Sequence, residues 1–206
     1  MLPGTLPPCP CTRHGKGPAA HGTAAGRTPT ARPSTSRRPS TTVFSSKAIH
    51  DGPSPDVRTD PARPGFSSTR IWVTDRTPAG IKGVRETVHL PHTLEPPAGG
   101  SVCRIVTFPP DAAFTGGAKE VRSFFHAMGS PGASTYSARS PHPYMQKTRT
   151  LDFCLVLEGE ITLVLDAGEV HLKAGDSVVQ RGTRHAWSNR SDWPCTLAIS
   201  SHDATY

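Results

Sequence analysis

Apolar and polar positions alternate through much of the second half of the chain, and short glycine-bearing turns interrupt the alternation. Leu151, Phe153, Leu155 and Leu157 alternate with Asp152, Cys154 and Val156 up to Glu158-Gly159. Ile161, Leu163 and Leu165 come next, then the turn Asp166-Ala-Gly-Glu169, then Val170-His-Leu172. Ala174-Gly-Asp176 and Arg181-Gly-Thr-Arg184 set off Ser177–Gln180, His185–Asn189 and Pro194–Ser200. A period of two marks strands that bury one face. Strands at this spacing predict an all-β barrel or sandwich. Upstream, Arg70–Thr74, Glu86–Leu90 and Ser101–Phe108 read as further strands, and Pro109-Pro110 stops the last because proline cannot donate to a ladder.

One segment has a different period. Val121, Phe124, Phe125 and Met128 recur at i, i+3, i+4 and i+7, the stripe of an amphipathic helix over residues 118–128. Gly129 stands where a helix cap belongs. Such a helix either packs on the outside of the β body or covers a site as a lid.

Composition separates a tail from a body. From Pro7 to Thr42 there is no Leu, Ile, Val, Met, Phe, Tyr or Trp, so nothing offsets the entropy lost on ordering. Twelve of the 22 prolines precede residue 66. Residues 1–66 therefore read as a disordered, basic, Pro/Ser/Thr-rich extension and linker. Residues 67–206 read as one domain, with its barrel core at about residues 142–200.

Charge follows the same division. The net +7 comes from seven basic side chains in residues 1–50, which hold no acid, while residues 51–206 carry 16 basic and 16 acidic groups. The basic balance describes the extension, for which a solvated tail is the ordinary reading over contact with nucleic acid or anionic lipid, and nucleic acid is not an expected partner of this protein. The longest apolar run, Phe153–Leu157, has five residues, far below the roughly 20 of a membrane helix. No apolar segment of the secretory kind follows Met1, so a cytoplasmic protein is expected. The acid-free extension leaves organelle targeting as the alternative. Cys103, Cys154 and Cys195 stand singly in apolar stretches and read as reduced, core-type thiols.

A polar row is the first candidate chemistry. Gln146, Thr148, Thr150 and Asp152 share parity, and on one strand all four would face the same way. Leu151, Phe153, Leu155 and Leu157 would then face the other way and be buried. In a barrel, the polar row lines a cavity. His185, Trp187 and Asn189 share parity on a second strand.

The segment from Met145 to Asn189 resembles the two motifs of the cupin superfamily in order and spacing. Gly175, Gln180-Arg-Gly182, His185 and Asn189 match the second motif, without its proline and one residue short. Gly159 and Asp152 match the first, Asp152 standing for the usual glutamate. More closely, His142-Pro-Tyr-Met-Gln-Lys-Thr-Arg-Thr-Leu-Asp-Phe153, Val156-Leu-Glu-Gly-Glu160 and Gly175–Asn189 are similar to small single-domain cupins, the type-2 conserved barrels; Phe124-Phe-His-Ala-Met-Gly129 adds to the likeness. The resemblance covers about residues 67–206. It implies a double-stranded β-helix, the jelly-roll barrel, with one short helix, and a homodimer.

The resemblance also implies a metal bound by three histidines and a carboxylate. Here the four positions hold Gln146, Thr148, Asp152 and His185. Iron, manganese, nickel or zinc on Asp152, His185 and Gln146 is disfavoured, because amide and alcohol oxygens are weak ligands. His142 either swings in as a further ligand or is an ordinary loop histidine. A metal-free polar pocket is the expected site.

Asp152 and His185 are the candidate catalytic pair, since a carboxylate and an imidazole within reach of a ligand can move a proton near neutrality. Gln146, Thr148 and Trp187 are candidate substrate contacts. Two functions follow. One is an enzyme of proton-transfer chemistry (dehydration, isomerisation or decarboxylation, or metal-dependent oxygenation if a metal is kept) on a small organic molecule. The other is a degenerate, non-catalytic ligand-binding module. The ordinary alternative for Asp152 and His185 is a structural hydrogen-bonded pair, and for Trp187 a core aromatic. Glu158, Glu160 and His171 read as surface groups.

Overall fold

The structure is a computed structural model that describes residues 53–81, 87, 89–114 and 116–206. Among the described residues there are nine strands: β1 Val57–Thr59, β2 Ser67–Thr74, β3 Ser101–Phe108, β4 Thr150–Glu158, β5 Glu160–Leu165, β6 Gly168–Lys173, β7 Ser177–Arg181, β8 His185–Ser188 and β9 Cys195–Asp203. They form an antiparallel six-stranded sheet, in the order β1-β2-β3-β9-β4-β7, and a three-stranded sheet, β6-β5-β8. Eight of the nine expected strands appear within a few residues of their expected ends. The ninth does not: Glu86 and Val88 lie outside the described residues, and Thr87, His89 and Leu90 adopt turn or irregular backbone.

The two sheets share one core. Val106, Phe108, Cys154, Val156, Cys195 and Leu197 from the larger sheet meet Ile161, Leu163, Leu172 and Trp187 from the smaller. This is the all-β barrel that the turn spacing predicts. The one α-helix among the described residues, α1 (Ala118–Ala127), closes the core with Val121, Phe124 and Phe125 and with Met128 at its C-terminal cap. Its end is a glycine cap. The amide of Gly129 donates to the carbonyl of His126, and that of Ser130 to the carbonyl of Phe125. Gly129 adopts φ 65°, which a residue bearing Cβ resists.

Two expectations need correction. Residues 1–52 of the expected disordered extension lie outside the described residues. Residues 53–66, however, include β1, the buried Asp60 and Arg63, and the core ring Phe66. Phe66 meets Phe124 edge-on at 4.9 Å, so this Pro-rich stretch is part of the body.

The second correction concerns β4. Its alternation is as read, but its apolar row faces out. Phe153, Leu155 and Leu157 are 48%, 41% and 46% exposed, whereas Thr150, Asp152, Cys154 and Val156 are buried. The interior row is polar at one end and apolar at the other, so one face builds both a pocket and a core. Alternation gives parity but not which parity is inside.

Candidate functional site

The polar row does not belong to one strand. Only Thr150 and Asp152 lie in β4, where Asp152 stands between Ser201 of β9 and Gln180 of β7. Before Thr150 the chain leaves the larger sheet and runs to the free edge of β8. There the amide of Gln146 donates to the carbonyl of His185 at 2.7 Å, and the amide of His185 donates back at 2.9 Å. This crossing between sheets places Gln146 beside His185 while Asp152 remains on the larger sheet.

All five expected site residues, Gln146, Thr148, Asp152, His185 and Trp187, line a single cavity inside the barrel. It encloses about 70 Å³ of free space, room for roughly five waters. Its apolar wall includes Phe66, Val106, Phe108, Phe124 and Trp187. Phe124 brings α1 into that wall, so the helix is both an outer layer and a boundary of the site.

His185 is held at both nitrogens. Nδ1 lies 2.9 Å from the carbonyl of Thr183, which can only accept, so Nδ1 carries the proton. Nε2 is then the lone-pair nitrogen, 3.2 Å from the Gln146 amide nitrogen. The Gln180 amide nitrogen gives its two protons to the carbonyl and the hydroxyl of Thr183 and keeps that loop in place. Burial depresses the pKa of His185, more than the Thr183 carbonyl and the Asp152 charge raise it. The ring is neutral at pH 7, with a basic nitrogen facing Gln146.

Asp152 ends a hydroxyl chain. Thr148 and Thr150 hydroxyls are 2.8 Å apart, and Thr150 donates to Asp152 Oδ2 at 3.0 Å. Oδ1 of Asp152 is buried and has no hydrogen-bond partner. The structural-pair alternative for Asp152 and His185 has no support in the contacts, since each is bonded to other groups.

Two buried arginines enter the same cavity, and the sequence pattern gives no sign of either. Arg104 lies on β3 and donates Nη2 to the Leu94 carbonyl at 2.8 Å, while its Nε has no partner. Arg63, 2% exposed, sits among the rings of Phe66, Phe108, Phe114, Phe124 and Tyr144, at 4.4–5.6 Å from their centroids. Its Nε and Nη2 are buried without partners. Burial lowers both guanidinium pKa values to about 10, so both remain charged. The Tyr144 hydroxyl, in the same lining, is likewise buried and unpartnered. Each such group costs about 1–3 kcal/mol when left unpaired.

A second network borders the cavity. Ser68, a lining residue, lies 3.3 Å from His92 Nε2, and His92 Nδ1 lies 3.1 Å from Asp56. Asp56 also pairs with Arg70, whose guanidinium donates to the carbonyls of Thr87, Leu90 and Pro91. These bonds fasten Asp56, Thr87 and residues 90–92 to β2. They account for Asp56 and His92 as structural groups.

The donor set does not fit a divalent metal. The four positions offer one imidazole, one carboxylate, one hydroxyl and an amide whose nitrogen faces the imidazole. Two guanidinium charges in the same lining oppose a dication. His142 is turned elsewhere: its Nδ1 accepts the Tyr144 amide and its Nε2 lies 3.5 Å from Asp111. No group of three or more His, Cys, Asp or Glu side chains with metal-binding geometry occurs among the described residues. His171 and Glu160 meet at the surface, as expected, 3.6 Å apart. Asn189 is fully buried and bonds the carbonyls of Phe108 and Trp193, a structural role. Cys154 lines the cavity, but burial pushes its thiol up to about 12, so it offers no thiolate.

Residues 131–201 match the family described as the Cupin domain. Phomopsin biosynthesis cluster protein C' of Diaporthe leptostromiformis is 35% identical over 157 residues, which cover 67% of this chain and 75% of that protein. The cupin-domain-containing oxidoreductase virC of Hypocrea virens is 30% identical over 123 residues, covering 58% of this chain and 48% of that one. Among solved structures, a Cupin 2 conserved barrel domain protein from Salinispora arenicola is 16% identical, covers 68% of this chain and 76% of its own, and superposes with a TM-score of 0.34.

Proposed function

Because the chain belongs to the cupin family, as a small type-2 member, we propose that it binds a small organic molecule inside the barrel and catalyses proton transfer on it. The observation that carries this reading is the setting of His185: a buried imidazole whose Nδ1 lies against the Thr183 carbonyl, which leaves Nε2 as the nitrogen with the lone pair, in the lining of the cavity. A buried neutral imidazole is a base at neutral pH. In the reaction, Nε2 takes a proton from the ligand and returns it at another atom, as in isomerisation, dehydration or decarboxylation. Asp152 Oδ1, free of other bonds, accepts a hydrogen bond from the ligand or supplies the second proton site. Gln146 and Thr148 orient the ligand, and Trp187 with Phe108 forms its apolar wall.

The biosynthesis-cluster relatives support a role in a small-molecule biosynthetic pathway. The outward apolar row of β4, with Val179 of the edge strand β7 beside it at 52% exposure, supports a homodimer, whose mass light scattering reads. No helix among the described residues is long and apolar enough to cross a membrane.

The test is solvent deuterium exchange. The purified protein is incubated in heavy water with small carbonyl and hydroxy compounds, and label incorporation or loss of water is followed by mass spectrometry. His185→Ala should reduce any exchange by about a hundredfold or more. Unchanged exchange in that variant overturns the assignment of the base. Binding with no exchange across the whole series favours the non-catalytic module instead, a reading consistent with Gln146 standing where the family's metal-binding histidine is expected.

A further inference from the structure

The cavity's unused hydrogen-bonding groups are unequal in kind. Arg63 Nε and Nη2, Arg104 Nε and the Tyr144 hydroxyl are all buried without partners, and all can donate. Against them stands one unpartnered acceptor, Asp152 Oδ1. The charged side chains of the lining are Arg63, Arg104 and Asp152, so the lining carries one positive charge in excess. His185 adds none, being neutral.

Asp60 and Asp111 behind the lining act on Arg63, and Asp56 on Arg104, through their charge, but none of them forms an ion pair with either arginine within 4 Å, so the unpartnered donors remain. Arg104 and Asp152 lie on β3 and β4, with β9 between them, and form no ion pair within 4 Å. Five ring centroids lie within 5.6 Å of the Arg63 guanidinium carbon, but an aromatic ring does not replace an oxygen acceptor, and Nε and Nη2 remain without hydrogen-bond partners. A guanidinium among aromatic rings therefore keeps its in-plane donors for something else. A carboxylate supplies two acceptor oxygens and one negative charge, which meets the geometry of a guanidinium edge and brings the lining to neutrality.

We propose that the ligand of this barrel is a small monocarboxylate whose carboxylate is bound by Arg63, Arg104 and the Tyr144 hydroxyl. This rests on the reading that the cavity holds a small organic molecule, and it adds the ligand's charge and class. The free space of about 70 Å³ limits the acid to a few heavy atoms unless side chains move. The rings of Phe108 and Trp187 face the acid's carbon skeleton, and Asp152 and His185 remain for the atoms away from the carboxylate. Arg63 is a specificity residue that comes from the Pro-rich segment before β2 and not from the barrel strands.

Calorimetric titration of the full-length protein with acetate, propionate and benzoate, each beside its neutral amide, and with inorganic phosphate tests the proposal. At least one acid should bind ten or more times more tightly than its amide. Arg104→Met and Arg63→Met should each remove that preference, and near-ultraviolet circular dichroism checks that the variants keep native packing. The acid–amide comparison on the unaltered protein needs no variant. Amides binding as tightly as acids would overturn the carboxylate assignment while leaving a small-molecule cavity. Phosphate binding more tightly than every acid would overturn it in favour of a different anion. Preference retained in both arginine variants would overturn the assigned residues. Binding of no probe would overturn both this inference and the ligand-binding reading beneath it.

Discussion

His185 and His92 show how burial sets the charge state of single residues here. Both pKa values lie below the ordinary 6.5, with desolvation the largest cause in each. The unfolded chain takes up protons as the pH falls through 6.5, whereas the folded protein does not until lower pH. The unfolded state then binds more protons, so these two groups make stability fall as pH falls between 6.5 and their folded values. Above that window they contribute no slope. Urea unfolding at pH 7.5, 6.5 and 5.5 should show the loss, and His185→Gln should make it shallower. An equally steep loss in the variant would show that His185 is not buried neutral.

At the same scale, the arginines explain a limit of sequence reading. Arg104 sits in the run Ser101–Phe108, where the alternation is good but a charged residue at an interior position looks like an error. Only the ring of aromatic side chains from β3, α1 and the loops around it shows why Arg63 can be inside. These contacts join residues far apart in the chain, so no local pattern records them.

At the scale of the element, β4 does two jobs with its two faces. Its inward row runs from Thr150 and Asp152 to Cys154 and Val156, polar at the pocket and apolar at the core. Its outward row continues onto β7 through the pairing of Phe153 with Val179, and the ring of His202 meets Phe153 edge-on at 5.4 Å. A contiguous apolar patch at a sheet edge marks an interaction surface. If the proposed homodimer forms through this patch, Leu155→Lys should give a monomer by light scattering without lowering the melting temperature of the isolated barrel by more than a few degrees. A wild-type chain that is already monomeric at tens of micromolar would sink the dimer. Helix α1 was legible throughout, because its stripe, its length and its glycine cap are all local features.

At the scale of the whole molecule, the boundary of the body lies before residue 57 rather than at 66. Asp56 holds Arg70 and His92, Arg63 enters the cavity, and Phe66 meets Phe108 and Phe124. Removing residues 1–50 should leave the melting temperature and ligand binding unchanged. Removing residues 1–66 should lower the melting temperature sharply, since losing a core phenylalanine alone costs about 3–5 kcal/mol of a domain total of about 5–15 kcal/mol. Thermal unfolding of the two truncations decides it. A large drop from the shorter deletion, or none from the longer, would place the boundary elsewhere.

Period-two alternation, turn glycines and the helix stripe are short-range patterns, and they are enough to specify an all-β barrel with one helix and the spacing of Gln146, Asp152 and His185. Composition likewise assigns the excess positive charge to residues 1–50. The tertiary structure alone decided which face of β4 is inside, that Gln146 crosses to the other sheet, and that two arginines distant in sequence reach one cavity. Those outcomes depend on which surfaces meet across the barrel, and that is a property of long-range packing, which periodicity along one strand does not encode.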